Sequence, residues 1–234
     1  MRTLVIVKSD IKNIFRDKSL AFVIFVPFIF LALLRIAPPV YEQYAPVMEL
    51  YRAHILSVFC LISTALMGFV LSFILLEEKD QSLFPVFQVL PLPIGRLLLL
   101  RTLVIMIYGF LASLLLIFGT GLVDFGISKS ILLALSCSLT GPSSTFIITS
   151  FARNKIEGVT FFKLLNTVLM LPVTGVFIKS KLGLLFGIFP HYWIFSSFVN
   201  QGFIPTNLVI LISLIANSIL LYLSYLLFIR KTYQ

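Results

Sequence analysis

The sequence predicts an all-α, polytopic membrane protein, and three observations carry that expectation. Of 234 residues, 59% are apolar and 12% charged, with a mean hydropathy of +1.09. A soluble domain carries about twice that share of charge. Apolar runs recur along the chain, each of about 18 residues or more and so long enough to cross a hydrocarbon core of ~30 Å. The basic residues behind the net charge of +9 stand at the ends of these runs, where they act as topology signals and headgroup contacts. That distribution points to membrane lipid as a partner and away from nucleic acid. The whole chain, 1–234, reads as a single transmembrane domain.

Residues 1–19 are expected to form an interfacial helix. Leu4, Val7, Ile11, Ile14 and Phe15 recur at helical spacing, with Lys8, Lys12, Asn13 and Arg16 on the other side. An apolar face against a basic one is the pattern of a helix lying in the membrane surface. The stretch does not read as a cleavable signal, because the span after it has no small-residue cleavage site.

The first span is expected over Leu20 to Ala37, kinked at Pro27 and ended by Pro38-Pro39, since proline removes a backbone donor. Arg35 lies near its far end, within snorkelling reach of the interface. Tyr41, Tyr44 and Tyr51 in the following loop suit an aromatic belt. The second span runs from Ala53 to Leu76 and the third from Leu97 to Leu122, with Arg101 at its inner end. Beyond a turn containing Asp124, Gly126 and Lys129, the fourth runs from Ser130 to Phe151. It is rich in small residues, among them Ala134, Ser136, Gly141 and Ser144, and small residues let helices approach closely. Pro142 should break its hydrogen-bond ladder, with the hydroxyls of Ser138 or Thr140 available to the freed carbonyls.

The fifth span is expected over Val159 to Phe177 and holds Asn166 and Pro172. Residues 178–205 are too interrupted by glycine, proline and lysine for one span, and read as re-entrant or interfacial helical pieces on the outer side. The last span runs from Thr206 to Phe228, before Arg230-Lys231. Six spans put both termini on one side. That side carries thirteen Lys and Arg against five on the other, so the positive-inside rule places both termini in the cytoplasm of a cell membrane.

Energy is the next question. No G-x-x-x-x-G-K-[ST] occurs, so the chain has no P-loop of its own. Ion coupling needs ionisable groups within the spans, and the deep parts of the spans offer only Asn166 and Asn217. Any pumping therefore draws on a partner. His54 and His191 have no further ligand at metal spacing, and Cys60 and Cys137 fall inside apolar runs, where free thiols behave as small hydrophobes. Ser143-Ser144 has no base in the spans to activate it. The chain reads as a non-enzyme without catalytic residue, metal or cofactor. The rival readings are a membrane-embedded lipid-modifying enzyme and a passive scaffold or channel component.

The longest polar interruption is the loop 77–96. Glu77, Glu78 and Asp80 stand at the membrane surface, where like charges beside anionic lipid are unfavourable unless something basic meets them. Leu83, Phe84, Phe87, Val89 and Leu90 then recur on one face of a short helix, consistent with docking into a groove of another protein. Pro91 and Pro93 stop that helix and turn the chain back.

These features resemble the permease subunits of ABC-2 type transporters, also called type V exporters. The resemblance runs from end to end. It rests on Ser9-Asp10-Ile11 and Phe15-Arg16-Asp17, on Glu77 to Gln81 with Leu83 and Leu90-Pro91-Leu92, and on Gly187 to Trp193. The Glu-Lys-Asp-Gln run, Leu171-Pro172 and the Pro190 to Trp193 motif are similar to those of small drug-export permeases of the fluoroquinolone type. Two departures are Ser82, where glycine is common in the family, and the extra Pro93. The resemblance implies a cytoplasmic coupling helix within 77–96 and a broken outer hairpin over 178–205. It implies a separate ABC ATPase subunit carrying ATP and Mg, and a second permease subunit, a copy or a similar paralogue. By this resemblance Glu77, Glu78, Asp80, Leu83, Phe84, Phe87 and Pro91 couple to the ATPase. Lys8, Lys12, Phe15 and Arg16 belong to the interfacial helix, and Pro27, Asn166 and Pro172 are pathway candidates. An apolar pathway in a chain with 24 phenylalanines suits a lipophilic or amphipathic cargo.

Overall fold

The computed structural model describes residues 9–10, 12–84, 94–178, 180–199 and 203–233. Helix α1 spans Lys18–Tyr44, α2 Arg52–Asp80, α3 Ile94–Thr120, α4 Ile127–Ser138, α5 Thr140–Phe151 and α6 Lys155–Met170. Then come α7 (Val173–Phe177), α8 (Pro190–Val199) and α9 (Thr206–Tyr233), with 3₁₀ helices over Pro46–Tyr51 and Lys181–Ile188. Residues 12–16 are helical ahead of α1. Among the described residues, six stretches are long and apolar enough to cross a membrane: Leu20–Ala37, Val47–Asp80, Ile94–Thr120, Ile127–Phe151, Lys155–Phe177 and Thr206–Thr232. They are the six expected spans, and the chain is an all-α multi-pass membrane protein.

The fourth span, α4 with α5, is the centre of the bundle. It packs on α2, α3 and α9, while α1 rests against α2 and α3, and α6 against α2 and α5. The centre is tight because glycine meets glycine. A Cβ at Gly68 would overlap the Gly141 carbonyl, and one at Gly141 would stand 2.8 Å from the Thr64 carbonyl oxygen. Across the same crossing the Thr145 hydroxyl donates to the Gly68 carbonyl at 2.7 Å. The small residues of the fourth span thus do what their composition implied.

Prolines shape the spans, and not all as expected. Pro27 lacks the N–H that would serve the Val23 carbonyl, and the Tyr108 hydroxyl of α3 reaches the Val23 and Ile24 carbonyls at 3.3 and 3.1 Å. The freed acceptor is satisfied by a neighbouring helix. Pro38-Pro39 do not end the first helix, which continues to Tyr44. Proline φ lies in the helical range, so the helix runs on although the pair lacks the donors toward Leu34 and Arg35. Pro142 does break the fourth span, at Leu139. The hydroxyls act elsewhere than expected: Ser138 donates to the Leu135 carbonyl, and Thr140 has no partner among the described residues. Pro172 ends the main part of the fifth span after Met170.

The segment expected to be re-entrant is broken into the 3₁₀ helix and α8. Helix α8 has ten residues, ~15 Å or half a membrane. It is buried, with Tyr192, Ile194, Phe195 and Phe198 in the core beside Leu56, Cys60 and Leu133. The indole N–H of Trp193 donates to the Gly187 carbonyl at 2.8 Å, and the Asn217 amide of α9 donates to the Pro190 carbonyl at 3.0 Å. Burial holds His191 at a pKa of about 4, so it is neutral at physiological pH. At the opposite end of the bundle the N-terminal segment, the ends of α2, α5 and α9, and the starts of α3 and α6 come together; this end is termed the terminal face.

Candidate functional site

The last turn of α2 is the root of the loop 77–96. Glu77, Glu78, Lys79 and Asp80 are helical residues and not loop, a correction to the expected boundary. Acids at a helix C-terminus oppose the macrodipole, and here basic side chains from other elements offset them.

Glu78 is 8% exposed and accepts from Arg101 of α3, whose Nη1 and Nη2 stand 2.8 and 2.5 Å from its two oxygens. The same guanidinium grips Asp10 of the N-terminal segment, Nε to Oδ2 at 2.8 Å and Nη2 to Oδ1 at 3.1 Å. Arg101 is 3% exposed, and its planar fork suits two carboxylates at once. Burial raises the Asp10 pKa and the arginine opposes that rise.

The flanking residues reach elsewhere. Glu77 pairs with Lys155, the first residue of α6, at 3.0 Å. Lys79 donates to the Ala152 and Thr149 carbonyls at 2.8 and 3.2 Å, satisfying the open end of α5. Lys231 of α9 lies 3.9 Å over the Phe151 ring. Three consecutive side chains thus fan out to the third, fourth and fifth spans, and Arg101 carries the contact of Glu78 on to the N-terminal segment. Beside them a groove of about 580 Å³ opens between the N-terminal segment and α2, lined by Asn13, Arg16, Asp17, Glu77, Gln81 and Lys155. Helix α6 begins with its own cap: Asn154 Oδ1 accepts from the Glu157 N–H, and the Glu157 carboxylate accepts from the Arg153 N–H.

The sequence-derived site residues separate on this frame. The basic groups meeting Glu77 and Glu78 belong to this chain, and the N-terminal segment supplies a further acid. Asp80 is exposed. Phe84 is not offered to another protein: it is buried in a cluster with Ile14 and Leu98, its ring edge-on to Phe228 of α9 at 6.2 Å. Leu83 is half-buried along the groove. Lys8, Phe87 and Pro91 lie outside the described residues. Lys12, Phe15 and Arg16 are exposed. Ser82 has φ +55° just past α2, the left-handed conformation in which glycine carries no steric cost.

The pathway candidates do not gather at one place. Pro27 is buried in the first span, on the Tyr108 side. Asn166 donates to the Phe162 carbonyl of its own helix at 3.1 Å and lines an open groove of about 670 Å³ with Ile62, Leu66, Lys163 and Thr167. Pro172 is buried at the break between α6 and α7. Sequence reasoning assigned no role to Arg101, Lys79, Lys155 or Tyr108. No sequence signal set Arg101 apart, because at the inner end of the third span a positive charge reads as a topology marker.

Residues 10–225 match the family described as "Fluoroquinolones export permease protein Rv2686c-like". Two relatives in strains of Mycobacterium tuberculosis, described as fluoroquinolones export permease proteins MT2760 and Rv2686c, are each 24% identical over 199 residues, covering 82% of this chain and 79% of the relative.

Proposed function

The chain belongs to the Rv2686c-like fluoroquinolones export permease family, a membrane permease family of the ABC-2 type, and from that membership we propose that it is the membrane-spanning subunit of an ATP-driven exporter. A separate ATPase subunit supplies the energy, and two permease subunits form the pathway, either two copies or this chain with a similar paralogue. The cargo is lipophilic or amphipathic, of the aromatic drug class named for the relatives. The subunit lies in the cell membrane with the terminal face in the cytoplasm, consistent with the excess of Lys and Arg in the sequence segments expected on that side.

The observation that carries this reading is the fan of Glu77, Glu78 and Lys79 at the root of the loop. A loop pushed by an ATPase works only if its displacement reaches several spans, and these side chains link it to three spans and, through Arg101, to the N-terminal segment. ATP binding then shifts the bundle between two states that the ATPase contacts differently. Residues 1–19 form the interfacial helix and part of 77–96 the coupling helix. With Glu77 and Glu78 occupied within the chain, Asp80 and the groove around Arg16 and Gln81 face the partner.

The test is an affinity pull-down of the tagged chain from native membranes in mild detergent. We expect a stoichiometric P-loop ATPase with vanadate-sensitive hydrolysis in the eluate. A chain recovered alone, under conditions in which known complexes survive, would overturn the reading.

A further inference from the structure

The N-terminal segment is held to the bundle by two contacts of different kinds. Asp10 gives both carboxylate oxygens to Arg101, and Ile14, one turn on, is buried with Leu71, Leu98 and Phe84. The segment leads into the first span through a capped junction. The Asp17 carboxylate accepts from the Leu20 N–H at 3.3 Å and its carbonyl from the Ala21 N–H at 2.8 Å. Whatever moves Asp10 therefore moves α1.

Arg101 joins this unit to the root of the loop, since its other edge is forked onto Glu78. One guanidinium between two buried carboxylates leaves a net charge of −1. That is a poor arrangement for stability alone, because desolvation of the second acid is not fully repaid, and the raised Asp10 pKa agrees. An asparagine at position 10 would serve packing as well. The arrangement makes sense as a joint between three separately moving parts: two strong bidentate contacts, aimed in fixed directions and shielded from water.

We propose that Arg101 is a positioning residue for transport, clamping Asp10 to Glu78 so that the N-terminal segment and first span follow the root of the loop as one body. The role rests on the exporter reading above; the clamp itself does not.

Asp10→Asn is the informative variant, because Arg101 and Glu78 remain a neutral pair and no buried charge is stranded, as it would be by Arg101→Ala. In the purified chain, hydrogen exchange at residues 12–16 should quicken about tenfold, the scale of one lost charge-assisted hydrogen bond, with the thermal midpoint held. In the native complex in proteoliposomes, with a fluoroquinolone as probe, drug moved per ATP should fall about tenfold on the same scale. ATP hydrolysis and subunit stoichiometry should hold, and Asp10→Glu should restore transport in part. Unchanged exchange at 12–16 would overturn the clamp, whatever the protein transports. Faster exchange with unchanged drug per ATP would overturn the coupling role. If the unaltered complex neither hydrolyses ATP nor moves the probe, the exporter reading fails and the coupling role with it, while the exchange result still decides the clamp.

Discussion

The fourth and fifth spans, Ile127–Phe151 and Lys155–Phe177, have the same mean hydropathy of 1.6, yet 78% of the first is buried within the chain and 17% of the second. Hydropathy says that a segment enters the membrane and nothing about what it faces there. Side-chain size and hydrogen bonding decide the rest. The fourth span is built of small residues whose hydroxyls bond back to their own helix: Ser143 to the Leu139 carbonyl, Thr149 to Thr145 and Ser150 to Phe146. These bonds meet part of the polar demand, with the hydroxyls of Ser130, Ser136, Thr140 and Ser144 left without a partner among the described residues, and the small side chains let the α2 backbone touch the span at Gly68 and Gly141. The fifth span carries large side chains and turns Lys163, Leu164, Thr167, Val168 and Leu171 outward. A face mixing lysine and threonine with leucine at membrane depth does not match pure lipid. It suits a second subunit and a pathway between them.

This contrast can be broken, and the largest effect is expected at its centre. Gly141→Leu places a branched side chain where even a Cβ meets the Thr64 carbonyl oxygen at 2.8 Å. Overpacking a core costs about 1–3 kcal/mol, occasionally more, and here backbone must move, so the top of that range or beyond is expected. The check is recovery of folded protein and its thermal midpoint in detergent; a normal midpoint would mean that the glycine crossing is not what centres the fourth span.

A smaller effect is expected from Thr145→Val, which removes the 2.7 Å hydrogen bond to the Gly68 carbonyl without changing shape. Interhelical hydrogen bonds in membranes average about 0.6 kcal/mol, so a denaturation curve should shift slightly while fold and assembly persist. A loss as large as that from Gly141→Leu would make hydrogen bonding, not close approach, the source of the crossing.

The smallest effect on stability is expected on the fifth span. Asn166→Leu combined with Thr167→Leu should change unfolding by no more than about 0.5 kcal/mol, as surface substitutions do, while drug export in cells falls. Stability lost with export retained would show this face to be a packing surface within the chain.

Much of the fold was legible in order along the chain. The six spans follow from hydropathy and the break in the fourth span from Pro142, because each is a demand that a short stretch makes by itself. The candidate site was legible only in part. Glu77 and Glu78 stood out as acids needing basic partners, but their partners did not, since Arg101 resembles any flanking positive charge until α3 is set beside α2. Phe84 looked like a docking residue because its apolar periodicity is the same whether the groove it fills belongs to a partner or, as here, lies beside Phe228.

By itself, the sequence determined that this chain crosses a membrane six times and where it turns. Entering a bilayer is a one-segment problem: each run of apolar residues either satisfies its own backbone and spans, or does not. Only the tertiary structure decided that Asp10, Glu78 and Arg101 form one cluster and that the fourth span, not the fifth, is the centre. Those outcomes depend on which helix faces meet. In a bilayer that is settled by close packing and pairwise hydrogen bonds between distant residues; the small residues of the fourth span mark it as able to pack closely, but not which helices it meets.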